Sequence, residues 1–301
     1  MTAATLMILT RPTETSAASG SPGDPGYVLA DADAPHVNVM DLGVTRGDGI
    51  FESISIAGGH PQALEAHLAR LAHSAALLDL PAPDLPVWRN AVFAAIEVNS
   101  AAPGSPEELF AKLVMTRGIE GVEKPVGWVY VSGIPNFTAA RSSGIRVVSL
   151  DRGYRHDVAQ TSPWLLQGAK TLSYAVNRAV LREAARRGAD DVIFLSSDGF
   201  VLEGPSSSVV LQHGNRIRTP GTDQGILAGT TQASVFEFFA ARGNATSYEP
   251  IPAEDLQTAD ALWLVSSVRQ AAPVRRLDGT ELAVDSDLAT ELNAFLLART
   301  E

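Results

Sequence analysis

The stretch Leu165-Leu166-Gln167-Gly168-Ala169-Lys170-Thr171-Leu172-Ser173-Tyr174-Ala175 sets one lysine behind two small residues and just ahead of a helix-forming run. The glycine and alanine let another group come close to the amine. Lysine is scarce in this chain, with Lys112, Lys124 and Lys170 the three lysines among 23 basic residues. Arginine occupies the positions where charge alone suffices, so a retained lysine is enriched for sites that need an amine. An amine can lose its proton and attack a carbonyl, whereas a guanidinium does not deprotonate in proteins. Read alone, the stretch is equally an exposed lysine near a helix start.

Downstream of it, a helix from about Tyr174 to Arg187 stops at Gly188. Apolar runs at Val192 to Leu195 and Phe200 to Glu203 flank the turn Ser197-Asp198-Gly199, and a third strand spans Ser207 to Leu211. Glu203 closes an apolar run, Val201-Leu202-Glu203-Gly204-Pro205, where an ionised carboxylate is costly without a partner. It either meets a cationic group or faces water at a sheet edge. Further on, Gly229-Thr230-Thr231 opens a helix that runs to about Arg242. Backbone N–H groups and hydroxyls there suit a phosphate, or form an ordinary cap.

Upstream, Leu6 to Leu9 reads as a first strand and Thr13 to Gly26 as a loose surface segment. Gly49 to Ile56 alternates around β-branched and aromatic residues, and Gly58-Gly59 closes a hairpin. Leu64, Leu68, Leu71, Ala75 and Leu78 keep helical spacing, with Arg70 on the flank of that stripe. A helix over Leu85 to Val98 and strands at Leu109 to Thr116 and Gly127 to Ile134 complete an α+β half. Residues 1–134 are expected to form this smaller domain, 135–144 an interdomain connection, and 145–301 a larger domain with a β-barrel-like sheet core.

The 301 residues, 45% hydrophobic and 19% charged, are those of a globular chain large enough for two domains. A net charge of -11 without a basic block argues against a nucleic-acid surface, yet a few converging arginines still suffice for a small anion. No apolar run reaches membrane-spanning length. The absence of cysteine excludes disulfides and thiolate metal sites, and six scattered histidines, with His67 and His73 on different helix faces, speak against any metal centre. A cytoplasmic enzyme is the simplest reading.

The order and spacing of these pieces resemble the fold-type IV, or class IV, pyridoxal-phosphate aminotransferases and lyases. Arg46-Gly47-Asp48-Gly49-Ile50-Phe51-Glu52 is similar to that family's early Gly-Asp-Gly strand motif. Leu64-Glu65-Ala66-His67-Leu68-Ala69-Arg70-Leu71 is similar to its phosphate-arginine helix, and Lys170, Glu203-Gly204-Pro205-Ser206-Ser207 and Gly229-Thr230-Thr231 follow in order. The resemblance implies a two-domain α+β/α/β homodimer that binds pyridoxal 5′-phosphate. It assigns Lys170 the Schiff base, Glu203 the pyridine nitrogen, and Arg70, Thr230 and Thr231 the phosphate. Tyr174 would meet the ring hydroxyl, Leu227 would pack on the ring, and Ser267 would add a hydroxyl near the phosphate.

Within that group the cofactor residues do not separate the reactions. The chain resembles actinobacterial aminodeoxychorismate lyases most, which implies conversion of 4-amino-4-deoxychorismate to 4-aminobenzoate and pyruvate on the folate branch. The alternative is a class IV aminotransferase acting on D-amino acids, branched-chain amino acids or R-amines. Val122 and Glu123 stand where the D-amino-acid enzymes place an arginine-containing carboxylate trap, and Phe51 lacks the hydroxyl of a tyrosine. Arg46 and Arg117 would instead serve a dicarboxylate, or form structural ion pairs. A non-catalytic ligand-binding homologue would have lost the amine or the carboxylate, and both Lys170 and Glu203 are present.

Overall fold

The computed structural model describes residues 4–15, 23–122 and 124–300. Half of the expected surface segment between Thr13 and Gly26, and Glu123, lie outside them. The chain divides into two compact units. The first comprises the described residues up to Pro135, the segment Ala169–Tyr174, and Arg299 with Thr300; the second comprises Asn136–Gly168 and Ala175–Ala298.

In the first unit the elements are β1 (Thr5–Leu9), β2 (Tyr27–Ala30), α1 (Leu42–Thr45), β3 (Gly49–Ala57), β4 (His60–Pro61), α2 (Leu64–Leu77), α3 (Leu85–Ser100), β5 (Glu108–Thr116) and β6 (Val126–Gly133). The strands form one antiparallel sheet in the order β2-β1-β6-β5-β3-β4. Strand alternation divides β3: Ile50, Glu52, Ile54 and Ile56 are all fully buried on one face, while Phe51, Ser53 and Ser55 point to the other, where Ser55 alone of the three is buried. Gly58 and Gly59 both take positive φ, as a two-residue hairpin loop demands, and so join β3 to β4. The apolar stripe of α2 is buried as its spacing predicts, with Leu71 and Ala75 fully covered.

The second unit contains α4 (Thr138–Ser142), β7 (Ile145–Asp151), α5 (Val158–Thr161), α6 (Ala175–Arg186), β8 (Asp191–Leu195), β9 (Ser208–His213), β10 (Arg216–Thr219), α7 (Thr230–Ala241), β11 (Ala245–Tyr248), α8 (Asp255–Thr258), β12 (Ala261–Ser266), β13 (Gln270–Leu277), β14 (Thr280–Glu281) and α9 (Ser286–Leu297). Its mixed sheet runs β11-β10-β9-β12-β13-β7-β8, with β14 attached to β13. Separate apolar clusters fill around this sheet, one centred on Ile193, Val209 and Leu264, another on Phe239, Trp263 and Leu292.

Two segments differ from the sequence expectation. The stretch expected as a connection, 135–144, holds the short helix α4, which Arg141 anchors by donating to the carbonyls of Val268 and Arg269. Phe200 to Glu203 runs beside β8, but only as bridged backbone. Val201 donates to Ile251 and Leu202 to Phe194, so its hydrogen bonds are divided between two neighbours instead of forming one ladder. No helix among the described residues is long and apolar enough to cross a membrane.

Leu71→Ala empties a fully buried position on the sheet-facing stripe of α2. It is expected to lower the unfolding free energy by about 2–5 kcal/mol, measured as a fall in the urea midpoint.

Candidate active site

In the first unit, the segment carrying Lys170 lies along the edge of β3 that the short strand β4 leaves open. The Lys170 carbonyl accepts from Phe51 N–H at 3.0 Å, Leu172 N–H donates to the Gly49 carbonyl at 2.8 Å, and Lys170 N–H donates to Ser74 Oγ at 3.1 Å. This approach explains the Gly-Asp-Gly spacing. A Cβ on Gly49 would stand 2.7 Å from the Met115 carbonyl and 2.8 Å from Leu172 Cδ1, and one on Gly47, where φ is +71°, would stand 2.9 Å from Ser173 Oγ. With its backbone held, Lys170 extends Nζ to 4.5 Å from the centroid of the Phe51 ring, which meets the Tyr174 ring edge-on at 5.5 Å. Lys112 Nζ reaches the same Phe51 ring from β5, at 5.5 Å.

On the opposite face of β3, Glu52 is fully buried and grips the Arg70 guanidinium by two bonds of 2.7 Å, to Nε and Nη2. Glu52 Oε2 also lies 2.8 Å from His67 Nδ1. Burial alone would push the Glu52 carboxyl up, but Arg70 and His67 together outweigh it and hold the group well below the usual carboxylate range. Burial pushes His67 down, despite Glu52, so the ring is held neutral. An ionised carboxylate can only accept; the proton of that neutral ring therefore sits on Nδ1, and the 3.3 Å approach of Arg70 Nη2 to the same nitrogen is a contact between donors. Arg70 thus emerges on the flank of α2 with its fork oriented by Glu52.

Arg117 ties Asp48 at 2.7 Å and donates to the carbonyls of Leu78 and Asp79 at the end of α2. All three guanidinium nitrogens are engaged in holding the Gly-Asp-Gly turn against that helix. Arg46 is exposed and donates to the Thr45 carbonyl.

In the second unit, Glu203 follows the buried pair Val201 and Leu202, and its Oε2 accepts the Leu227 N–H at 3.1 Å. Gly204 is required beside it, because a Cβ there would meet Ser207 Oγ at 2.3 Å. The start of α7 carries no acidic residue in its first turn and no side-chain cap. Thr230 Oγ1 and Thr231 Oγ1 converge on Ser267 Oγ at 3.3 and 3.4 Å, and a Cβ on Gly229 would strike Ser208 Oγ at 2.3 Å. Three hydroxyls and the first N–H groups of a twelve-residue helix make a cradle of neutral donors suited to a phosphate.

The structure therefore brings Lys170, Phe51 and Tyr174 together in one unit, with Arg70 on the other side of the same strand. It brings Thr230, Thr231 and Ser267 together in the other unit, and there joins Glu203 to Leu227. The orienting residues Glu52 and Ser74 were missed in the sequence reading. Glu52 carried a signal, an acid among isoleucines at the inward positions of an alternating strand; Ser74 carried none beyond its helical offset of four from Arg70.

The family model of amino-transferase class IV matches residues 49–277. A bifunctional aminodeoxychorismate lyase / D-amino acid transaminase of Mycobacterium tuberculosis is 45% identical over 266 residues, covering 86% of this chain and 89% of that protein. A fold IV-transaminase from Curtobacterium pusillum superposes with a TM-score of 0.95 at 62% identity, covering 99% of this chain and 98% of that one. A Mycobacterium tuberculosis aminotransferase solved in its PLP-bound form superposes with a TM-score of 0.86 at 40% identity, over 97% and 99% of the two chains.

Glu52→Gln removes the charge that offsets a largely buried Arg70, and is expected to cost about 3–5 kcal/mol at pH 7. The acid dependence follows by sign. His67 is depressed from 6.5, so stability falls as the pH drops below that value and the unfolded chain takes up the proton first. Glu52 is depressed from 4.5, so its contribution is complete above that pH and is lost below it. Urea unfolding from pH 7 to 3 should show both losses in the native chain, and the loss below pH 4.5 should be smaller in the variant, the remainder coming from carboxylates such as Asp190 and Asp198 that their own partners also hold low.

Proposed function

Because the chain belongs to the amino-transferase class IV family, whose enzymes depend on pyridoxal phosphate and share fold type IV, we propose that it is a pyridoxal-phosphate transaminase in which Lys170 carries the cofactor and moves the proton. The observation that carries this reading is the amine of Lys170, fixed through its own backbone to β3 and held over Phe51. The donor sets fit the group: an amine for an aldehyde, a hydroxyl cradle on a helix start for a phosphate, and a carboxylate for a ring nitrogen. Arg70, Thr230, Thr231 and Ser267 would hold the phosphate, Tyr174 the ring hydroxyl, and Glu203 the pyridine nitrogen, with Leu227 against the ring.

When bound, pyridoxal phosphate supplies an aldehyde that exchanges for the substrate amine and a ring that takes up the electron pair left by a departing proton. Lys170 Nζ would be the base that takes this proton from the substrate carbon bearing nitrogen and holds it for redelivery, water then being needed to release the keto product. Glu203 would keep the ring nitrogen protonated by giving that proton an ionic partner. The chain is proposed to act as a homodimer, the usual state of this fold, in the cytoplasm.

A lyase activity on aminodeoxychorismate is the second reading, favoured by the bifunctional Mycobacterium tuberculosis relative. It ranks second because Arg117, one of the two guanidinium groups expected to serve a dicarboxylate, is engaged with Asp48 and the end of α2. It would share the first proton transfer, after which the enolpyruvyl C–O bond would break as the ring becomes aromatic, and the departing enolate would take up the proton held by Lys170 to leave as pyruvate.

Two assays on the cofactor-loaded protein decide between the readings: keto-acid formation from D- and L-amino acids and R-amines, and 4-aminobenzoate release from aminodeoxychorismate. Faster keto product with slow aminobenzoate release is the expected result, and the reverse ranking overturns the transaminase assignment. Lys170→Ala should lower either turnover by at least about 10²–10⁴-fold and abolish the visible absorbance of lysine-bound cofactor.

A further inference from the structure

The loop that follows β7 is dense in charge, and with one exception its groups are paired locally. Asp198 lies 2.7 Å from His156 Nδ1 and 3.4 Å from Arg155, and Asp157 lies 3.2 Å from Arg155. The Asp151 carboxylate accepts the Gly153 N–H at 2.6 Å. Arg152 forms no ion pair among the described residues. It lies half-buried, its guanidinium carbon 4.5 Å from the centroid of Phe194 and 5.6 Å from that of Tyr154. Arg152 Nε donates to the Tyr154 hydroxyl at 3.2 Å, and that hydroxyl donates to Gln167 Oε1 at 2.7 Å.

Both ends of this chain of contacts lead to Glu203. Arg152 N–H donates to the Leu195 carbonyl, Phe194 N–H donates to the Glu203 carbonyl at 2.8 Å, and Leu202 N–H donates to the Phe194 carbonyl at 2.9 Å. Arg152 is thus stacked on the cross-strand neighbour of Glu203. At the other end, Gln167 packs against Gly225, where a Cβ would stand 2.9 Å from Gln167 Cβ. Gly225 lies two residues before Leu227, whose N–H is held by the Glu203 carboxylate. Phe194 and Tyr154 belong to an apolar cluster with Val148, Val180, Val192, Leu202 and Ile226. Burial pushes the Tyr154 phenol up, Arg152 opposes that, and Glu203 adds to it, so both charges act on one hydroxyl.

We propose that Arg152 is the positioning residue of Glu203, a cation set across Tyr154 that makes the carboxylate a weaker base and keeps the proton it shares with a bound pyridine ring on the nitrogen. This rests on the assignment of Glu203 to the ring nitrogen. A cation near the carboxylate stabilises its charged form, and the partial burial of both groups lessens the screening of that effect. Without it Glu203 takes the proton more readily, and the ring loses both its charge and its ionic anchor. Arg152 acts through Glu203, while Tyr154 and Gln167 fix the plane of the guanidinium.

The test uses holoenzyme of the native chain, Arg152→Met, Arg152→Lys and Glu203→Gln. Cofactor release on dilution and the visible absorbance of bound pyridoxal phosphate are followed from pH 5 to 9, with thermal unfolding as a control for folding. Arg152→Met should release cofactor about tenfold faster, the equivalent of one pKa unit in Glu203, and should move the acid limb of release and absorbance to higher pH. Arg152→Lys should restore most of both. Native behaviour of Arg152→Met overturns the proposal, as does equal damage in the methionine and lysine variants, which would mark a purely packing role. If Glu203→Gln leaves release and absorbance unchanged, the assignment of Glu203 itself fails, and the role of Arg152 fails with it. A change in Glu203→Gln without one in Arg152→Met overturns the role of Arg152 alone.

Discussion

A carboxylate with no solvent exposure, on the same strand face as Ile50, Ile54 and Ile56, is a severe desolvation cost. Glu52 tolerates it because Arg70 meets it through a two-pronged contact and His67 satisfies it with a third bond. The consequence reaches beyond the pair. His67, Arg70 and Ser74 stand at offsets of three and four on α2, hence on one stripe of that helix. Fixing Arg70 to β3 therefore fixes where Ser74 points, and Ser74 is the acceptor for the backbone of Lys170. One buried ion pair thus orients the helix that supports the amine, while the other face of the same strand presents Phe51 to the amine itself.

The second unit achieves its arrangement without buried charge at the helix start. The hydroxyls of Thr230, Thr231 and Ser267 converge where α7 begins, and glycines at 204 and 229 allow backbone and hydroxyls to approach more closely than any side chain would permit. Such positions are sensitive to volume, not to polarity. That is why Gly204 and Gly229 matter although neither contributes a functional atom.

Local pattern was legible where local physics decides the outcome. The strand from Gly49, its two-glycine hairpin and the stripe of α2 follow from alternation, turn conformation and helical spacing, all within a few residues. Lys170 stood out by scarcity and by its small neighbours. What escaped was long-range: Glu52 reaching Arg70 eighteen residues away and Lys170 reaching Ser74 ninety-six residues away, while for Arg117 the sequence left ligand and structural ion pair both open. Phe200 to Glu203 escaped for a related reason. Its pattern is that of a strand, but its partners lie on two different segments, and one sequence does not reveal how a ladder is shared.

The net charge of -11 poses a question for any anionic ligand, since the long-range field of the chain is repulsive. The groups proposed for the phosphate answer it by direction, not by net charge. Arg70 paired with Glu52 is close to neutral as a unit, yet the pair holds its N–H groups at fixed angles. The start of α7 and its three hydroxyls are neutral as well, and they present oriented dipoles that are already in place before an anion arrives. Fixed dipoles of this kind need little reorganisation and act over a few ångströms, where they outweigh a distributed charge that salt screens beyond about 8–10 Å. An acidic chain can therefore keep donors ready for an anion within each unit, where the buried Glu52 aims Arg70 in the first and close packing at Gly229 shapes the start of α7 in the second.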